Sequence, residues 1–108
     1  MEVRLVLDGE IAVVALSGRI EIEKAQSFRR ACLQKFSDKK VVFCMKNLSF
    51  VGSSGIQSFF GILNELNSTQ QVNVKIAGLN SDFQRLFSFA ECPHLEVHES
   101  IEGALQSF

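Results

Sequence analysis

From Ile11 onward the chain alternates apolar runs of strand length with stretches whose apolar residues recur at helical spacing. Before that, Val3, Leu5 and Leu7 alternate with Glu2, Arg4 and Val6, which is a strand period. Asp8-Gly9 then separates this run from Ile11–Leu16, so the two read as a hairpin, with glycine supplying the positive φ of a tight turn. Ser17-Gly18 closes the second strand. Ala25, Phe28, Cys32 and Phe36 predict a helix from about Glu23 to Phe36, and Ser37–Lys40 a polar turn. Val41–Met45 is a continuous apolar run, as expected of a central strand covered on both faces. Ile56, Phe59, Phe60, Leu63 and Leu66 stripe a second helix over Ile56–Asn67. Val72, Val74 and Ile76 alternate as a strand that Gly78 ends. Ser81-Asp82 begins a short helix holding Leu86, Phe87 and Phe89, and Pro93 bars its continuation. Leu95 and Val97 form a last strand, and Ser100 caps a helix with Ile101, Ala104 and Leu105.

The order is therefore β-β-α-β-α-β-α-β-α. Strands that alternate with helices pair in parallel through right-handed crossovers. The expected fold is α/β: a mixed sheet of four or five strands with a mostly parallel centre, about four helices, and the main helices on one face. At 108 residues the chain is expected to be a single domain over 1–108.

Composition removes several classes. Eleven basic against twelve acidic residues give a net charge of −1, whereas nucleic acids and anionic membranes both call for a basic excess. Hydrophobic residues make up 46% of the chain, which excludes disorder. Apolar runs of a few residues are too short to insert into a bilayer, and the Met1-Glu2-Val3-Arg4 start lacks a signal peptide's apolar stretch. Cys32, Cys44 and Cys92 are odd in number and lack CxxC spacing, so they read as small core residues of a cytoplasmic protein. Arg29-Arg30 and Lys39-Lys40 are ordinary solvated charge.

One segment carries chemistry: Asn47-Leu48-Ser49-Phe50-Val51-Gly52-Ser53-Ser54-Gly55-Ile56, between the central strand and the second helix. Ser54 and Gln57 have capping-box spacing, which sets Ser53 just before the cap. Unpaired N–H groups and the positive dipole end gather there, so a phosphate on serine is stabilised. Locally the serines also read as plain helix caps, and Gly52 and Gly55 as turn residues. The spacing is not that of a nucleophile elbow, and the absence of Lys excludes a phosphate-binding loop.

The whole chain resembles the STAS domain, in particular the bacterial anti-sigma factor antagonists. The resemblance rests on Leu48–Ile56, with its Ser-Ser-Gly turn, and on Leu16-Ser17-Gly18-Arg19-Ile20 after the second strand. Gly78–Phe87 and His94–Leu105 extend it to the end of the chain. It implies a non-enzymatic module that binds an anti-sigma factor acting as a serine kinase, and so frees a sigma factor. It implies phosphorylation of Ser53, with Ser54 as the alternative, and a phosphatase for reset. The expected docking surface comprises Gly52, Ser53, Ser54, Gly55, Gln57, Ser58 and Gly61, with the apolar Ile62 a candidate contact for which burial in a fuller core is the commoner explanation. No cofactor or metal is implied. The family's Asp is Gly52 here, and Gln57 replaces a commonly small residue.

Two other functions compete. A constitutive STAS subunit, as in lipid-transporting ABC complexes, would use the same helix without phosphorylation; Ser53 favours the switch and Gly52 the subunit. An enzyme lacks an acid–base or nucleophile–His pair at workable spacing. His94, Glu96 and His98 share a strand face that could hold a metal, but three ligands on one flat strand converge poorly, so a solvated face is expected.

Overall fold

The computed structural model describes residues 2–20, 25–36, 40–50, 53–69, 73–79, 81–89 and 95–108, with the backbone course alone at 20, 50, 53–56, 68, 69 and 89. Its elements follow the expected order: β1 (Glu2–Asp8), β2 (Ile11–Ile20), α1 (Ala25–Lys35), β3 (Lys40–Phe50), α2 (Ser53–Thr69), β4 (Asn73–Ala77), α3 (Ser81–Phe89), β5 (Glu96–His98) and α4 (Ile101–Gln106). The five strands form one sheet in the order β1-β2-β3-β4-β5. β1 and β2 are antiparallel about a turn in which Gly9 has φ +63°, and the remaining pairs are parallel.

Strands two to five lie side by side in chain order, so crossovers of one hand place their connecting helices on one face. There Phe28 and Cys32 of α1 and Phe59, Phe60, Leu63 and Leu66 of α2 meet the inward side chains of β2, β3 and β4. Phe28 stacks on Phe59 with centroids 5.1 Å apart and meets Phe43 edge-on at 6.2 Å. Such ring pairs fix relative orientation as well as burying area. α4 follows the last strand, lies outside this constraint and takes the opposite face, where Ala104 packs on Val42 and Ala77. β3 is thus covered on both sides, as its unbroken apolar run requires. Ser100 caps α4 as expected, its Oγ accepting from the Gly103 N–H at 3.1 Å.

Two strands run further than their apolar residues suggest. β2 continues through Ser17-Gly18 to Ile20, and β3 through Lys46 and Asn47 to Phe50. A register shift between Ala15 and Ser17, with Gly18 at φ +91°, lets the two stay paired. Lys46, Asn47 and Ser49 are exposed there and interrupt the apolar run, although Leu48 between them is buried in the core.

Candidate functional site

The extended pairing brings together the two segments that stood out in the sequence. Gly18, Arg19 and Ile20 of β2 lie opposite Leu48, Ser49 and Phe50 of β3. The Ser49 hydroxyl donates to the Gly18 carbonyl at 3.1 Å across that seam. Three residues beyond Phe50 the chain enters α2, whose N-terminus therefore stands at the carboxyl end of a central parallel strand. In open α/β sheets this edge is where binding sites gather. Gly18, Arg19 and Ser49 are exposed beside it.

α2 begins at Ser53, so Ser53, Ser54 and Gly55 all have helical backbone in the first turn. This shifts the expected arrangement, in which Ser54 was the cap and Ser53 preceded the helix. First-turn residues need no intrahelical acceptor for their N–H groups, so small polar residues are admitted there at little cost. Gly52 lies outside the described residues. Gln57, Ser58 and Gly61 are exposed on the helix that follows. A Cβ added at Gly61 would meet nothing within 4 Å, so the surface there is open as well as lacking a side chain.

Of the two readings of Ile62, docking contact or core residue, the structure shows the core one. It is 7% exposed and belongs to the main core, because α2 turns a broad stripe from Phe59 to Leu66 against the sheet. Its neighbour Gly61 stays outside.

Arg29 of α1 grips Glu65 of α2, Nε to Oε2 at 2.8 Å and Nη2 to Oε1 at 2.5 Å, one helical turn beyond Gly61. These hydrogen bonds hold the Glu65 carboxyl below the usual carboxylate range and raise the guanidinium pKa further. A two-pronged contact of this kind sets how the two helices sit against each other.

A second polar group gathers under α4 and was not anticipated. Lys75, 6% exposed, donates to Glu96 Oε2 at 2.6 Å and to the Oγ and carbonyl oxygen of Ser107, and its ammonium lies 4.7 Å from the centre of the Phe108 ring. Its only trace in the sequence is a lysine between Val74 and Ile76. Ser107 donates to the Ala104 carbonyl at 2.7 Å, so its proton is committed, although His98 Nε2 is 3.3 Å away. Of the three residues considered for a metal, His94 lies outside the described residues, while Glu96 serves Lys75. Among the described residues no group of three His, Cys, Asp or Glu side chains could hold a metal ion. No helix of the described residues is long and apolar enough to cross a membrane.

Comparison with known proteins agrees with this architecture. The family model of the STAS domain matches residues 2–104. No curated protein is a significant sequence match. Among solved structures, the unphosphorylated anti-sigma factor antagonist SpoIIAA is similar at 17% identity and TM-score 0.69, with 98% of this chain and 95% of that one covered. A putative anti-sigma factor antagonist from Thermotoga maritima is similar at 14% identity and TM-score 0.77, covering 97% and 92%. The murine anion transporter Slc26a9 is similar at 15% identity and TM-score 0.71, over 91% of this chain but 17% of that one. At these identities the likeness shows the fold.

Proposed function

This chain belongs to the STAS domain family, and from that membership we propose that it is an anti-sigma factor antagonist whose binding is switched by phosphorylation. One observation carries the reading: the Ser-Ser-Gly turn opens α2 at the carboxyl edge of the sheet, beside exposed Gln57, Ser58 and Gly61. The partner is an anti-sigma factor that is also a serine kinase, and a phosphatase restores the unmodified form. The domain, spanning 1–108, acts in the cytoplasm and catalyses nothing itself.

Ser53 is the acceptor, with Ser54 the alternative. A phosphate there sits among first-turn N–H groups at the positive dipole end, so it should cost the fold little or add about 0.3–1 kcal/mol. In the complex the same dianion has to shed water against the partner. A penalty of about 2–4 kcal/mol weakens binding roughly 30- to 1000-fold. The fold survives and the complex does not, which is what a switch requires.

The partner is recovered from native lysate on the immobilised chain, and then incubated with it and ATP. Intact mass and site mapping should show one phosphate, on Ser53. Ser53→Ala should keep the partner bound in ATP, and Ser53→Asp should weaken binding in part. Gly61→Arg should abolish binding while leaving the melting temperature at or above that of the wild type, since the position is exposed and helical.

A second reading has one observation in its favour: Gly52 replaces the acidic residue found beside the acceptor in the family. A constitutive subunit, for example of a lipid-transporting ABC system, would dock through the same α2 surface. It is the correct reading if no phosphate appears and Ser53→Asp leaves tight binding unchanged.

A further inference from the structure

The large apolar side chains exposed among the described residues all lie on one strand: Val3, Leu5, Val6 and Leu7 of β1, at 54%, 46%, 52% and 68%. β1 is an edge of the sheet, and every residue of it is exposed. Val3, Leu5 and Leu7 stand opposite Leu16, Val14 and Ala12 of β2, so they extend the core face of the sheet past the area the helices cover. Pairing with β2 uses alternate backbone groups of β1 and leaves the other set facing outward. Edges of this kind are ordinarily blunted by Pro, by bulges or by charged side chains, and the charges of β1, Glu2, Arg4 and Asp8, are of mixed sign rather than uniformly repulsive. β1 contains neither Pro nor Gly, and its register with β2 is continuous from Glu2 to Asp8.

We propose that β1 pairs antiparallel with β1 of a second copy of this chain, about a two-fold axis through Val6. The charges select the register. A two-fold axis normal to the sheet sets residues of the same face opposite each other. Centred on Val6, it places Arg4 opposite the second copy's Asp8 twice, Leu5 opposite its Leu7 twice, and Val6 opposite itself, while Val3 and Glu2 run past the end of the partner strand to its Gly9-Glu10 turn, outside the paired stretch. Centred on Leu5, it sets Glu2 against Asp8 twice. Centred on Arg4, it sets two guanidinium groups together. Like charges directly opposite are destabilising, and opposite charges or apolar pairs are favourable. A centre at Val3 leaves three residues a side, and one at Leu7 sets Val6 against Asp8. The Val6 register is the one that matches both charge and apolar character.

The resulting ten-stranded sheet leaves the α2 N-terminus free, because α2 follows β3, two strands in from the edge. Each dimer therefore presents two copies of the docking surface. Five paired residues a side bury less than a standard interface, so the association is weak and concentration-dependent.

Sedimentation velocity of the full chain, over a roughly hundredfold range of concentration, tests this. The wild type should rise from the mass of one chain toward two. Arg4→Glu and Asp8→Arg should each weaken association roughly tenfold or more, by opposing like charges. An equimolar mixture of the two variants should associate again, as should the double variant, because each restores both opposite-charge pairs. Asp8 also opens the hairpin turn, so Val6→Lys provides a second route: it sets two ammonium groups at the axis and should give single chains. A wild type that keeps the mass of one chain throughout overturns the proposal. So does association that ignores these substitutions, or a mixture of the charge-reversed variants that stays apart.

Discussion

Lys75 and Glu96 are register partners on β4 and β5, with Nζ and Oε2 2.6 Å apart, yet the lysine side chain is 8% exposed and the glutamate 60%. The pair is therefore unequal. Removing Glu96 leaves an ammonium buried against Ser107 and the Phe108 ring, whereas removing Lys75 leaves a carboxylate in water. Glu96→Gln should cost about 1–3 kcal/mol, and Lys75→Met should stay within about 1 kcal/mol of the wild type. Urea unfolding of both variants measures the asymmetry; equal losses would contradict it.

Glu65 and Glu96 are both held below the usual carboxylate range, chiefly by hydrogen bonds from Arg29 and Lys75. A depressed folded-state pKa contributes stability that is present above the unfolded value and lost as the pH falls through the folded one. Stability should decline as the pH falls through and below the ordinary carboxylate value of 4.5, and the double variant Glu65→Gln/Glu96→Gln should show a shallower decline. Thermal melts across that range measure the slope.

The Cys32 thiol is 2% exposed, and burial pushes its pKa from 9.0 up to about 12, against a smaller opposing pull from Lys35. Cys44 is half-buried. Iodoacetamide at about pH 8 should modify Cys44 well before Cys32, as peptide mapping would show. A raised folded-state pKa also means stability that is intact below pH 9.0 and lost as the pH rises toward about 12. Cys32→Ala should remove that alkaline component.

Two glycines should respond in opposite directions to alanine. Gly61 is exposed in mid-helix with open space where a Cβ would go, so Gly61→Ala should stabilise by about 0.5–1 kcal/mol. Gly78 has φ +77°, and its Cβ would come within 3.2 Å of the Lys46 Cβ, so Gly78→Ala should cost about 1–3 kcal/mol. Chemical denaturation of the two variants gives the signs directly.

Ile62 packs in the main core, so Ile62→Ala should cost about 2–4 kcal/mol through lost burial and the cavity left behind. Its effect on partner binding should follow the fraction unfolded alone. A Tm near that of the wild type with impaired binding would return Ile62 to the docking surface.

Much of the fold was legible because periodicity reports which face of an element is buried, and the nine elements appear in the order their periods predict. The ends were less legible. Lys46, Asn47 and Ser49 break the apolar run of β3 with exposed side chains, so buried Leu48 stands isolated among them, while the backbone from Asn47 on still pairs with β2. Of the candidate site, Gln57, Ser58 and Gly61 fall on the open face that the α2 stripe leaves over. Ile62 could not be placed so simply. A stripe as wide as Phe59–Leu66 does not say where its border runs, and that depends on how closely neighbouring elements approach.

Local patterns in this chain are sufficient for the hairpin at Gly9, the alternation of strands and helices, the cap at Ser100 and the Ser-Ser-Gly start of a helix, because backbone sterics and hydrogen bonding act within a few residues. Exposure and partnership are not local. That α4 crosses to the far face, that Lys75 meets Glu96 and Ser107 beneath it, and that Val3, Leu5 and Leu7 stay exposed beside the described helices all depend on elements distant in the chain. Burial and pairing are properties of what lies opposite a residue, and only the assembled sheet determines that.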